Sequence, residues 1–213
     1  MRAFLEGNTE IISHGNLTPE ISSLKDLKAL STQNILEVKG FKLASKYDTK
    51  NISEKGYLLD NPKVVRRKKV LDLGSGCGAT AIAAMMSGAS QVVANDIDPV
   101  AAAAMVLNCE LNNVNPFPVL TENLIGTELE SWDLIVLGDM FYSEQLADSL
   151  HHWLKKYAQA PGTQVLIGDP GRPHFVTHRI QKELHRVREY VLPKATAKEN
   201  NGTTSTVVWH YQP

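Results

Sequence analysis

Residues 70–80, VLDLGSGCGAT, constrain this chain more than any other stretch. Residues 70–73 are strand formers. They meet a Gly-x-Gly-x-Gly turn at Gly74, Gly76 and Gly78, and the small-residue run ATAIAAMM then reads as a helix. A strand that turns so sharply into a helix presents the unpaired N–H groups of the helix N-terminus beyond its own end. Glycine has no Cβ, so the backbone can fold tightly and come close to a ligand. The unit reads as a nucleotide-type binding device within a parallel sheet.

Two ligand classes fit it. Gly74-Ser-Gly76-Cys-Gly78-Ala79 satisfies the loose G-x-G-x-x-A pattern of dinucleotide sites. Asp72, two residues before the first glycine, tells against a pyrophosphate. A carboxylate there would repel phosphate and suits a ligand with an ammonium group at that end, such as S-adenosylmethionine. Gln91–Asn95 is a short apolar strand running into Asp96, 18 residues after Gly78. An acid at that strand tip accepts hydrogen bonds from a ribose, which both ligand classes carry. Asp98-Pro99, opening the next helix, leans with Asp72 toward the methyl donor. A nicotinamide dinucleotide stays as the alternative. Cys77, inside the turn, reads as a small filler rather than a nucleophile.

Strands and helices alternate beyond this unit. Helices are expected over 79–87, 99–112, 144–157 and 178–188, and strands over 117–120, 132–137 and 164–167. Two further strands, 189–192 and 204–211, read as an antiparallel pair across a polar loop. Such alternation demands a parallel sheet with helices on both faces. The expected fold class is α/β: a seven-stranded, mostly parallel, Rossmann-like sheet with a C-terminal antiparallel hairpin. With 213 residues, one domain is the default. A net charge of -1 gives no electrostatic case for nucleic acid. The basic run Arg66-Arg67-Lys68-Lys69 reads as a solvated loop. Two cysteines imply no disulfide framework, no span is apolar enough for a membrane helix, and no metal site is indicated.

Ligands of such sheets bind beyond the carboxyl ends of the strands, which sorts the remaining polar residues. Asn123, after the third strand, meets either the adenine edge or simply its own turn. Gly138-Asp139-Met140-Phe141-Tyr142 follows the buried fourth strand, where donor and acceptor must meet. Asp139 and Tyr142 are the candidate catalytic pair; the alternative role of Asp139 is to cap the helix that starts near Ser143. The GDPGR run, residues 168–172, is expected to shape the substrate entrance. Asp72, Gly74, Gly76, Gly78, Asp96 and Asn123 make the candidate cofactor set.

The runs VLDLGSGCGATAIAA, ANDIDP, LNCELN, NPFPVL, WDLIVLGDMFY, LADSLHHWLKK and VLIGDPGRP together resemble the electron-transfer flavoprotein beta-subunit lysine methyltransferase family. The resemblance covers residues 2–21 and 57–213. It implies a class I S-adenosylmethionine-dependent protein-lysine methyltransferase. Asp139-Met140-Phe141-Tyr142 would be its Asp-x-Phe-Tyr type motif, and the mitochondrial matrix its compartment. The implied partner is the flavoprotein beta subunit, whose recognition-loop lysines would be modified. No Arg-rich amphipathic transit segment is visible at the start of the chain, so a cytoplasmic location stays open.

Residues 1–56 are expected to be an extension to a methyltransferase domain at 57–213. Residues 22–56 depart from the family, which carries a tryptophan-rich segment with a Trp-Pro-x-Gly turn over the cofactor. Here there is no tryptophan, and seven lysines stand among irregularly spaced apolar residues. A short helix from Thr18-Pro19 to Leu30, then a connector without order, is expected. Two other readings therefore stay open: an inactive form that only binds the partner, and a methyltransferase for RNA or a small molecule. The lack of an Asn-Pro-Pro-Tyr type motif at 138–142 argues against the last.

Overall fold

The computed structural model describes residues 35–38, 41–44, 52–128, 130–191 and 204–213. Strands β1 (Ile35–Val38) and β2 (Phe41–Ala44) pair antiparallel. Helix α1 (Ile52–Asp60) follows. Both strands lie in the stretch expected as an irregular connector, and the helix begins in it and runs on past residue 56; the helix expected over 18–30 falls outside the described residues. Then come β3 (Lys69–Leu73), α2 (Ala79–Met86), β4 (Gln91–Asn95), α3 (Pro99–Leu111), β5 (Val119–Leu120) and β6 (Leu134–Gly138). The chain continues through α4 (Glu144–Ala158), β7 (Gln164–Asp169), α5 (Pro173–Val176), β8 (Leu184–Val191) and β9 (Ser205–Tyr211).

Strands β3 to β9 form one seven-stranded sheet in the order β5-β4-β3-β6-β7-β9-β8. The first five run parallel; β9 enters antiparallel beside β7, and β8 closes the edge antiparallel to β9. The strand period of two sorts the core onto both faces. Val70, Val92, Ala94, Leu134, Val136, Leu166 and Val208 point to the layer of α1, α2 and α3. Leu71, Leu73, Val93, Ile135, Leu137, Val165, Ile167 and Tyr211 point to the layer of α4 and α5. The expected sandwich and its terminal hairpin are present.

Residues 178–188, expected as one helix, are not helical as a unit. Arg179–Glu183 makes a short 3-10 turn and Leu184 begins β8. Ile180, Leu184 and Val187 stand at helical spacing, the pattern behind that expectation. A partner decided the outcome: β9 offers a ladder, and Val187, Tyr190 and Val191 suit a pleated edge. A register shift between Arg186 and Arg188 bends this exposed strand.

Candidate active site

A cavity of about 530 Å³ opens above the carboxyl ends of β3, β4 and β6. It is large enough for a nucleoside-sized ligand. Gly74, Gly76, Asp96 and Asn123 line one part of it, and Asp139, Met140 and Tyr142 line another. Of the eight residues named from sequence, the structure brings six to this one space. Asp72 and Gly78 stand behind it.

The glycine turn is required by its conformation and its neighbours. Gly74 has φ +67° and Gly78 φ +86°, in the left-handed region that side chains disfavour. A Cβ on Gly74 would stand 2.2 Å from Met140 Sδ, and one on Gly78 would stand 2.9 Å from Met105 Cγ. The first glycine therefore lets Met140 of the acceptor loop lie on the turn. The third lets α2 pack closely on α3.

Asp72 follows from strand alternation. Leu71 and Leu73 point to the α4 side, so Asp72 points the other way, beneath α2. Its Oδ2 accepts the Ser75 hydroxyl and, at 2.9 Å, the Ala81 N–H. The carboxylate is buried and fixes the turn from below, rather than facing the cavity.

Asp96 does line the cavity. Its Oδ2 accepts the Gly76 N–H at 2.8 Å and its Oδ1 accepts the Asp98 N–H at 3.0 Å. Asp98 in turn caps α3, accepting from Val100 N–H at 2.8 Å. The buried Asn95 amide donates to the Leu120 and Glu122 carbonyls, both at 2.9 Å, and ties β4 to the loop holding Asn123. Asn123 Oδ1 accepts the Ile125 N–H at 3.0 Å, so its turn role is real while it lines the cavity. Sequence reasoning missed Asn95 and Asn108, whose Nδ2 donates to the Cys77 carbonyl at 2.8 Å and pins the glycine turn to α3. Buried amides inside apolar elements are the signal that would have found both.

On the acceptor side, the four-residue motif splits by direction. Phe141 is buried and meets Phe175 of α5 edge-on at 4.9 Å, anchoring the loop. Tyr142 is 60% exposed at the rim. Ser143, not Asp139, caps α4, its hydroxyl oxygen accepting the Leu146 N–H at 3.3 Å. Asp139 is buried and holds φ +52°, a conformation Asp tolerates better than most residues. Its N–H donates to the Gly168 carbonyl at 2.9 Å.

The Asp139 carboxylate is held by Arg172 in a bidentate pair: Nε donates to Oδ1 at 2.5 Å and Nη2 to Oδ2 at 2.7 Å. Arg172 is presented by a turn that Asp169 closes. Asp169 Oδ1 accepts both the Gly171 and Arg172 N–H groups at 2.7 Å. The GDPGR run thus reaches the site as a clamp on Asp139. Burial pushes the Asp169 carboxyl up to about 7, against the pull of those two N–H groups.

Comparisons with known proteins return methyltransferases. The family described as ribosomal protein L11 methyltransferase (PrmA) matches residues 57–158. The human electron transfer flavoprotein beta subunit lysine methyltransferase is 54% identical over 222 aligned residues, covering 100% of this chain and 82% of that protein. The Danio rerio protein of the same name is 49% identical, covering 99% and 83%. The Caenorhabditis elegans homolog is 30% identical, covering 72% and 71%. Among solved structures, a putative methyltransferase, SMU.776, complexed with SAH superposes with a TM-score of 0.62 at 13% identity, covering 93% of this chain and 57% of that one. A ribosomal protein L11 methylase from Lactobacillus delbrueckii gives 0.54 at 20% identity, covering 75% and 77%. At such identities the superpositions speak for the class I methyltransferase fold.

Proposed function

This chain belongs to the electron transfer flavoprotein beta subunit lysine methyltransferase family, and on that premise we propose how its cavity transfers a methyl group to a protein lysine. The observation that carries the reading is the shared cavity: a nucleoside half and an acceptor half lie in one space. The chain is an S-adenosylmethionine-dependent methyltransferase. Its substrate, from the relatives' names, is the flavoprotein beta subunit.

The residues present fit the methyl donor. The backbone of Gly74 and Gly76 leaves room for it, Asp96 stands where ribose hydroxyls would donate, and Asn123 rims the same wall. Asp72 supports the site from beneath, by fixing the turn. When bound, S-adenosylmethionine supplies an electrophilic methyl group on a cationic sulfur.

The acceptor nitrogen must arrive with a free lone pair in line with the methyl–sulfur bond. Most of the rate can come from positioning and from excluding water. A free lysine titrates near about 10.4, so almost none is neutral at pH 7. Partial burial beside another cation lowers that value, and the proton leaves to water. Asp139 grips and orients the amine, and Tyr142 at the rim offers a hydroxyl or an aromatic wall along the lysine's path. The mitochondrial matrix, where the family resemblance puts the reaction, is the proposed compartment; cell fractionation with an antibody to this chain tests it.

The direct experiment incubates the chain with radiolabelled S-adenosylmethionine and purified flavoprotein beta subunit. Label in the beta subunit is expected. Asp139→Ala should reduce transfer by about 100-fold or more, the scale of losing a group that orients the reactants, and leave S-adenosylhomocysteine binding largely intact by calorimetry. Loss of that binding would remove Asp139 from the acceptor half.

A further inference from the structure

Resting on the assignment of Asp139 as the group that orients the lysine, the geometry raises a conflict. An isolated carboxylate beside an amine favours the ammonium, which has no lone pair to attack with. Asp139 is not isolated. Both of its oxygens are held by Arg172, at 2.5 and 2.7 Å, in the fork geometry that matches a carboxylate best. The guanidinium reaches across 33 residues of sequence, from a turn that Asp169 closes with two N–H bonds. Asp139 itself sits at φ +52° in buried surroundings, a conformation that persists only where its neighbours enforce it.

We propose that Arg172 is the positioning residue of the acceptor site: it fixes the Asp139 carboxylate through both oxygens and cancels its charge, so that the lysine amine is oriented without being held protonated. A carboxylate has about four lone-pair sites, so one bound by an arginine can still accept from an amine. Among the described residues, His178 stands with its ring 6.2 Å from that of Phe141 on the Asp139 loop. Asp169 stands in the same turn as Arg172, and Tyr142 on the same loop as Asp139. Asp96 lies on the cofactor side of the cavity, and Glu54 of α1 lies against Gly168. Of the contacts seen on Asp139 among the described residues, the guanidinium's is the one from a cation. Removing the guanidinium that meets both Asp139 oxygens should therefore shift the ascending limb, on which the lysine loses its proton.

The test is the pH dependence of kcat, with S-adenosylmethionine and the flavoprotein beta subunit saturating, for the full chain and for Arg172→Ala, Arg172→Gln and Arg172→Lys. In Ala and Gln, the ascending limb should move to higher pH by about one unit or more, the effect of uncovering a nearby charge. Near neutral pH their kcat should fall about tenfold or more, and the deficit should narrow as pH rises. Arg172→Lys should keep the limb in place while lowering kcat, because a point charge lacks the fork. Asp169, pushed up to about 7, rises further once the guanidinium beside it is lost, so the profiles are repeated in an Asp169→Asn background, where the Arg172-dependent shift should persist and its absence would overturn the proposal.

Profiles that fall in parallel without moving would make Arg172 merely structural and overturn the proposal. If neither neutral variant folds, Arg172→Lys decides: a displaced limb would overturn it too. Asp139→Ala separates the two readings. Full transfer by that variant removes the acceptor assignment itself, whereas its inactivity beside unmoved Arg172 profiles removes only this inference.

Discussion

Asp96 performs two tasks with one carboxylate. It accepts the Gly76 and Asp98 N–H groups, holding the glycine turn and the start of α3, and it lines the cavity where a ribose would bind. An asparagine keeps one acceptor oxygen but sets an amide nitrogen against one of those donors and loses the charge. Hydrogen bonds to a charged group contribute about 1.5–3 kcal/mol. Asp96→Asn is therefore expected to weaken S-adenosylhomocysteine binding about 10- to 100-fold, measured by calorimetric titration. An unchanged affinity would mean that Asp96 serves the turn alone. At this scale the sequence revealed the glycines and the acids, because their types are tied to local backbone geometry. It did not reveal their partners. Asp72 faces Ser75 and Ala81 rather than a ligand, and the direction of one strand residue depends on the sheet's pleat.

Among elements, the joint between α4, the 3-10 turn and β9 is polar. Glu183 Oε2 accepts from His151 Nε2 at 2.8 Å and from the Tyr211 hydroxyl at 2.9 Å, while Lys155 reaches Oε1 at 3.3 Å. These bonds, led by that of His151, hold the Glu183 carboxyl well below its ordinary 4.5, at about 2. A carboxyl depressed in the folded state stabilises the fold above its unfolded value. That contribution disappears as pH falls through the window between the two values. The melting temperature of the native chain should therefore drop between about pH 4.5 and about pH 2. Glu183→Gln should melt lower than the native chain at neutral pH and lose that part of the acid slope, as followed by circular dichroism. Parallel melting curves across the window would detach Glu183 from stability. The same joint explains why the helix expected over 178–188 does not form. Residues 180–187 carry helical spacing, but a strand edge waiting at β9 outweighs local propensity.

In the whole molecule, the last strand in sequence is not the last in the sheet. β9 inserts between β7 and β8, and its Val208 and Tyr211 are buried on opposite faces. A chain cut before Ser205 would leave β7 with an open edge and β8 with no partner. It is expected not to fold cooperatively, which a thermal melt beside the full chain tests. A cooperative transition in the shortened form would show that the five parallel strands stand alone.

The amino-acid sequence determined the alternation of strands and helices, the glycine turn, and the acids that bracket a nucleoside, since each follows from short-range periodicity and steric need. It placed Asp139 and Tyr142 beyond the right strand for the same reason. The tertiary structure alone decided that Arg172 clamps Asp139. That contact exists because β6 and β7 lie side by side, with Gly138 opposite Gly168, and bring two loops 33 residues apart to one point. Strand neighbours are chosen by how the whole apolar surface is buried, and no local pattern encodes that choice.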